Sequence, residues 1–230
     1  STWVRWYHEG ETVGTDFELE STFVPGDEVR CRVVPFDGMH EGAEWNQWVT
    51  IENAPPVVEE VTLSPDPAYE GDVLTCTPGA TTDLDGGTFF VHRYRWWIDD
   101  EEMEWPSSSL SSAYFDKGQE VRCAVNADDG LDEGDYTDSN TVYISNSLPV
   151  VDLIELTPDG ADTTDTLVAT VTTSDADGDE VIVSYDWYVN DILVSTSPVL
   201  NGEIYFDKGD RVYVEVVLFD GEDAGDPTTS

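Results

Sequence analysis

Apolar residues in this chain fall in short alternating runs, and no stretch carries a helical period of useful length. Across 90–98, Tyr94, Trp96 and Ile98 share one face of an extended segment while Trp97 takes the other. The same alternation groups Val4, Trp6 and His8 near the start, and Tyr185, Trp187 and Val189 near the end. Val121, Cys123 and Val125 alternate inward across 120–126, and Val73 and Leu74 flank Cys76 in a strand expected at 72–78. Further strands are expected at 57–63, stopped by Ser64-Pro65-Asp66-Pro67, and at 141–145. Gly, Pro, Asp and Asn interrupt the chain every ten residues or so. This pattern predicts an all-β fold of many short strands.

The pattern also repeats. Val4-Arg5-Trp6-Tyr7, Tyr94-Arg95-Trp96-Trp97 and Tyr185-Asp186-Trp187-Tyr188 are one element in three copies. A second anchor follows each: Phe23-Val24-Pro25-Gly26-Asp27, Phe115-Asp116-Lys117-Gly118-Gln119 and Phe206-Asp207-Lys208-Gly209-Asp210. An Asp-Gly turn recurs at Asp37-Gly38, Asp129-Gly130 and Asp220-Gly221. Asn53-Ala54-Pro55-Pro56-Val57-Val58 matches Asn146-Ser147-Leu148-Pro149-Val150-Val151. The spacing is about 90 to 93 residues throughout, which marks tandem modules. Residues 1–53 read as the back half of a first module, 54–146 as a complete one, and 147–230 as a third lacking its last strand. The chain thus reads as a window on a longer repetitive protein.

Within the complete module the order Cys76, Trp96, Cys123 resembles that of immunoglobulin-like β-sandwiches, where two cysteines bridge the sheets beside a buried tryptophan. The resemblance implies tandem sandwiches in an elongated array and a Cys76–Cys123 disulfide, two free buried thiols being the alternative. Cys31 aligns with Cys123, so its partner would belong to the front half of module one. Module three carries Ala169 and Val214 at the two positions, an apolar pair needing no bridge. Such a bridge implies an oxidising compartment.

Composition sharpens the picture through charge. Fifty acidic residues face nine basic ones, a formal net charge of −41, yet 39% of residues are hydrophobic, enough for packed cores. Self-repulsion on that scale opposes compaction unless cations screen or bind the carboxylates. Nucleic acid and anionic membranes are therefore poor partners. No run of apolar residues is long enough to span a membrane.

Two loops carry spaced carboxylates: Asp83-Leu84-Asp85-Gly86-Gly87 and Asp175-Ala176-Asp177-Gly178-Asp179. Calcium takes six to eight oxygen ligands, and aspartates alternating ahead of glycine let a tight loop wrap one ion. In a sandwich of the immunoglobulin type these loops share a pole with the Asp-Gly turn and with the incoming linker. That topology gathers Asn53, Asp83, Asp85 and Asp129 at one joint. It gathers Asn146, Asp175, Asp177 and Asp220 at the next, with Asp179 in reserve. The expected cofactor is calcium, clamping module to module. Ordinary turn chemistry on a salt-adapted acidic surface is the rival reading.

Sandwich repeats of this length with acidic loops and Asn-x-x-Pro joints are similar to PKD-like and cadherin-like modules of prokaryotic surface proteins. In place of the W-D-F-G-D-G run of PKD modules stands Trp187-Tyr188-Val189-Asn190-Asp191. The resemblance implies an extracellular or cell-surface setting and a structural or adhesive role as spacer, stalk or filament component. Partners would be neighbouring modules, copies of the same protein, surface glycans or other surface proteins. Strand exchange between copies is one way to build a filament. The alternative is a carbohydrate-binding accessory module, for which Trp45, Trp48 and Trp105 are the candidate stacking residues. No catalytic function is expected: His8, His40 and His92 stand apart, and neither H-E-x-x-H nor G-x-S-x-G occurs.

Overall fold

The computed structural model describes residues 2–230; Ser1, the first residue of the 1–53 module, lies outside them. The fold is all-β, built of tandem immunoglobulin-like sandwiches.

The second sandwich shows the plan. One sheet runs in the order Glu101–Met103, Val91–Ile98, Glu120–Asp128, Val142–Ser145 and Ala68–Tyr69, with Thr137–Asp138 also pairing Glu120–Asp128. The facing sheet runs Ser109–Ser111, Val73–Pro78, Val61–Ser64. The strand expected at 57–63 pairs in one register with 75–82, Val57–Val58 against Thr81–Thr82 and then Val61–Ser64 against Val73–Pro78; the chain crosses to the first sheet only at Ala68–Tyr69. Between the sheets Trp96, Leu74, Leu110 and Val121 are fully buried. Cys123 stands opposite Trp96 in the ladder and is disulfide-bonded to Cys76, with Cα atoms 6.3 Å apart.

In the third sandwich Val150–Thr157, Thr166–Ser174 and Val199–Asn201 form one sheet. Ile192–Ser195, Ile182–Val189, Val212–Phe219 and Thr228–Thr229 form the other. Val214 stands opposite Trp187 where Cys123 stands opposite Trp96, and Ala169 faces this core, so aliphatic contact replaces the bridge. A single helical turn, Gly202–Tyr205, is capped by Asn201, whose Oδ1 accepts from the Glu203 N–H at 3.0 Å.

The first module presents one sheet, Glu11–Gly14, Thr2–His8, Glu28–Pro35 and Trp45–Thr50. Its Trp6 is half-buried, whereas Trp96 and Trp187 are fully buried under a second sheet. In all three copies the indole N–H donates to a loop carbonyl: Asp16 at 2.9 Å, Ser107 at 2.9 Å and Ser197 at 2.8 Å. That bond satisfies the only polar atom of an otherwise apolar side chain, as burial requires.

Trp97, expected on the outer face, and its counterparts Tyr7 and Tyr188 are each capped by the residue directly across the ladder. Arg30 lies 4.1 Å over Tyr7, Arg122 lies 4.0 Å over Trp97, and Tyr213 stacks on Tyr188 at 5.0 Å.

Candidate functional site

The joints are built from the linker outward. At the second one, Asn146 Nδ2 donates to Asp220 Oδ2 at 2.9 Å and to Asp223 Oδ2 at 3.3 Å. The next residue, Ser147, gives its N–H to Asp177 Oδ2 at 2.6 Å and its hydroxyl to Asp177 Oδ1 at 2.8 Å. The first joint repeats this. Asn53 Nδ2 donates to Asp129 Oδ2 at 2.9 Å and Asp132 Oδ2 at 3.0 Å, and the Ala54 N–H donates to Asp85 Oδ2 at 2.6 Å. Each amide thus holds two aspartates of a hairpin turn together, and each second loop aspartate grips the linker backbone.

The turns prepare their carboxylates. Asp220 Oδ1 accepts from the Glu222 and Asp223 N–H groups, at 2.8 and 2.7 Å. Asp129 Oδ1 does the same for Leu131 and Asp132, at 2.7 and 2.8 Å. The Asn146 amide, then the Asp223 N–H, hold the Asp220 carboxyl down to about 2. Asp129 is lowered as well, first by the Asp132 N–H and then by Asn53.

Behind each turn a glycine lets the linker close in. A Cβ on Gly225 would meet the Pro149 carbonyl oxygen at 2.6 Å, and one on Gly134 would sit closer still to that of Pro56.

The nine residues expected around two metal ions are thus not alike in what they hold. Asn53, Asn146, Asp129, Asp220, Asp85 and Asp177 make hydrogen bonds that fasten the linkers. Asp83 accepts from the Asp85 N–H at 2.7 Å in its own loop. In the other loop Asp175, Asp177 and Asp179 bring carboxylate oxygens within 4.8 Å of one another, the only such acidic or metal-ligating trio among the described residues. Asp175 Oδ1 accepts from the Asp177 and Asp179 N–H groups, while its Oδ2 is buried without a hydrogen-bond partner. Three carboxylates with one bare, buried oxygen suit a hard divalent cation. Gly87 stands at the place of Asp179 in the first joint, which leaves that loop short of a third carboxylate.

One participant was missed in the sequence. Lys117, from the turn of the second sandwich, reaches across the joint to Asp179 at 2.5 Å and Glu222 at 2.8 Å, while its ammonium also donates to Asn146 Oδ1 at 2.9 Å. Asp179, then Glu222, push its pKa up. Asp179 is thus engaged by an ammonium and is no idle reserve ligand. The repeats contain the signal: Lys117, Asp179 and Glu222 correspond to Pro25, Gly87 and Leu131 around the first joint, so all three charges are present together or absent together.

The aromatic candidates do not form one platform. Trp45 lies across from Val33 and Trp48 from Arg30, so their side chains take opposite faces of the sheet. Trp105 donates to the Ser109 carbonyl at 2.7 Å and packs on Tyr114 and the second core.

No protein-family model and no curated protein matches this chain. Among solved structures the chain is similar to the FN1–FN3 domains of chicken CNTN1, at 12% identity and a TM-score of 0.34, covering 100% of this chain and 86% of that one.

Proposed function

We propose that this chain is a structural, adhesive-type repeat segment of a secreted or surface-attached protein, its sandwiches acting as spacers set in line by clamped joints. One observation carries the reading: the same Asn-to-paired-Asp and linker-to-Asp hydrogen bonds recur at both joints, about 93 residues apart. Loops that served only to turn the chain would have no reason to preserve that set around a linker. The Cys76–Cys123 bond suits an oxidising compartment. No helix among the described residues is long and apolar enough to cross a membrane.

Calcium belongs to this proposal at the second joint only. Asp175, Asp177 and Asp179 would hold it, the ion competing with Ser147 for Asp177 and with Lys117 for Asp179 and neutralising Asp175 Oδ2, the oxygen that hydrogen bonding leaves bare. The test is a calorimetric titration and a melting series with calcium and with chelator, on the native chain and Asp175→Asn. The reading expects saturable binding and a raised melting temperature in the native chain alone. Identical melting with calcium and chelator would remove the ion and leave the hydrogen-bonded clamp. For the clamp, small-angle scattering of Asn146→Ala should show a broader distribution of lengths than native. Unchanged scattering would sink the spacer reading.

A further inference from the structure

Strands Thr2–His8 and Glu28–Pro35 put Arg5, Arg30 and Arg32 on the face turned away from the core. Arg5 stands directly across from Arg32, and two residues along Tyr7, Arg30 and Trp48 line up. Like charges at facing positions repel. Rings nevertheless hold the guanidinium groups: Arg5 lies 4.8 Å from the Trp3 ring, and Arg30 lies 4.1 and 5.3 Å from those of Tyr7 and Trp48. Two carboxylates adjoin them. Glu44 pairs with Arg32 at 2.5 Å, while Glu28, two residues beyond Arg30, makes no ion pair among the described residues. Arg5 and Arg30 make none either.

The third sandwich carries the opposite charge at the same places. Asp186 and Glu215 are the counterparts of Arg5 and Arg32, and they too stand directly across from each other. Neither has an ion pair among the described residues, since the nearby Arg211 is paired with Asp191 at 3.7 Å. The tyrosines register the inversion. Tyr7 is held below the usual tyrosine pKa, first by Arg32, whereas Tyr188 at the same place is pushed up, first by burial and then by Glu215 and Asp186. The second sandwich is balanced. Arg95 takes the place of Arg5 but pairs with Glu102 at 3.7 Å, Ala124 replaces Arg32, and Arg93 and Arg122 each hold two carboxylates.

We propose that the arginine face of the first module binds the acidic face of the third sandwich on a second copy of this chain. Charge complementarity selects that occupant: Asp186 and Glu215 present two carboxylates across one pair of strands, as Arg5 and Arg32 present two guanidinium groups. The balanced middle sandwich has no unpaired arginine to compete, so the overlap falls on the end modules. Two chains of net charge −41 repel at a distance, but salt screens that repulsion beyond about 8 Å and screens touching pairs less. Contact between unlike faces is heterologous, so every added copy leaves one face of each sign free and the series stays open. The inference stands apart from the joint clamps, since it uses only outer sheet faces.

The test is sedimentation velocity of the full chain at about 0.15 M salt. The native sedimentation coefficient should rise with concentration. Arg5→Glu with Arg32→Glu, or Asp186→Arg with Glu215→Arg, should weaken association at least ten-fold. An equimolar mixture of these two double variants should recover native strength, because each chain then meets only the opposite charge; that recovery also shows both variants folded. A native chain that stays monomeric up to about 1 mM would overturn the proposal. So would a mixture that stays as weak as its components, or loss in the arginine variant alone. If the monomeric native chain instead retains polygalacturonate and the arginine variant does not, the face belongs to an acidic glycan and self-association is wrong.

Discussion

Asp220 sets a pH limit on the second joint. Its carboxyl is depressed in the folded chain to about 2, from an ordinary 3.8. A depressed carboxyl contributes stability that is fully present above its unfolded pKa and is lost as pH falls through the folded one. Melting of the third sandwich should therefore hold steady above about pH 5 and weaken progressively toward pH 2. In Asn146→Ala, which removes the leading cause of the depression, the decline should begin at higher pH; an unshifted profile would count against the amide as that cause. Gly225 supplies a steric test. Gly225→Ala should cost about 2 kcal/mol in a urea melt, because the neighbour it meets is a backbone carbonyl that cannot swing aside. Gly71→Ala, with open space around its Cβ position, serves as the neutral control.

Among the elements, the disulfide and the lysine act on different things. Cys76 and Cys123 close a loop of 47 residues, so reduction should cost the second sandwich about 4 kcal/mol on a chain-entropy estimate. The third, whose equivalent positions are aliphatic, should melt unchanged in reductant. Differential scanning calorimetry with and without reductant separates the two transitions. Lys117 touches two sandwiches, and both of its ion pairs remain partly exposed, so its effect on melting should be small. Its effect on geometry should be larger. Spin labels on the second and third sandwiches of Lys117→Gln should report a wider distance distribution than in the native chain, with melting nearly unmoved. The strands themselves were largely legible from alternation, because a sheet buried on one face imposes a period of two that survives in sequence. The crossing at Ala68–Tyr69 was not, since the two residues that join the other sheet lie past the Ser64-Pro65-Asp66-Pro67 stop and are too few to show a period.

At the scale of the whole molecule, a net charge of −41 governs solution behaviour. Added sodium chloride should raise the melting temperature, most steeply below about 0.15 M where screening changes fastest. The same acidity made the candidate site hard to read. With fifty acidic residues, spacing finds acidic loops, but only three-dimensional contact separates Asp129 and Asp220, spent on asparagine, from Asp175, which keeps a bare oxygen. Lys117 escaped notice for the opposite reason. A lone cation in a turn looks like any solvated lysine until its two carboxylates are seen to arrive from another module.

The presence of Lys117 at one joint and Pro25 at the other bears on how the chain would respond to pulling. At the second joint, rotation of one sandwich about its neighbour strains two ion pairs as well as the linker. Rotation at the first strains the linker clamp alone. Under lateral load, bending should gather at Asn53 while the pair of sandwiches beyond it swings as a single arm.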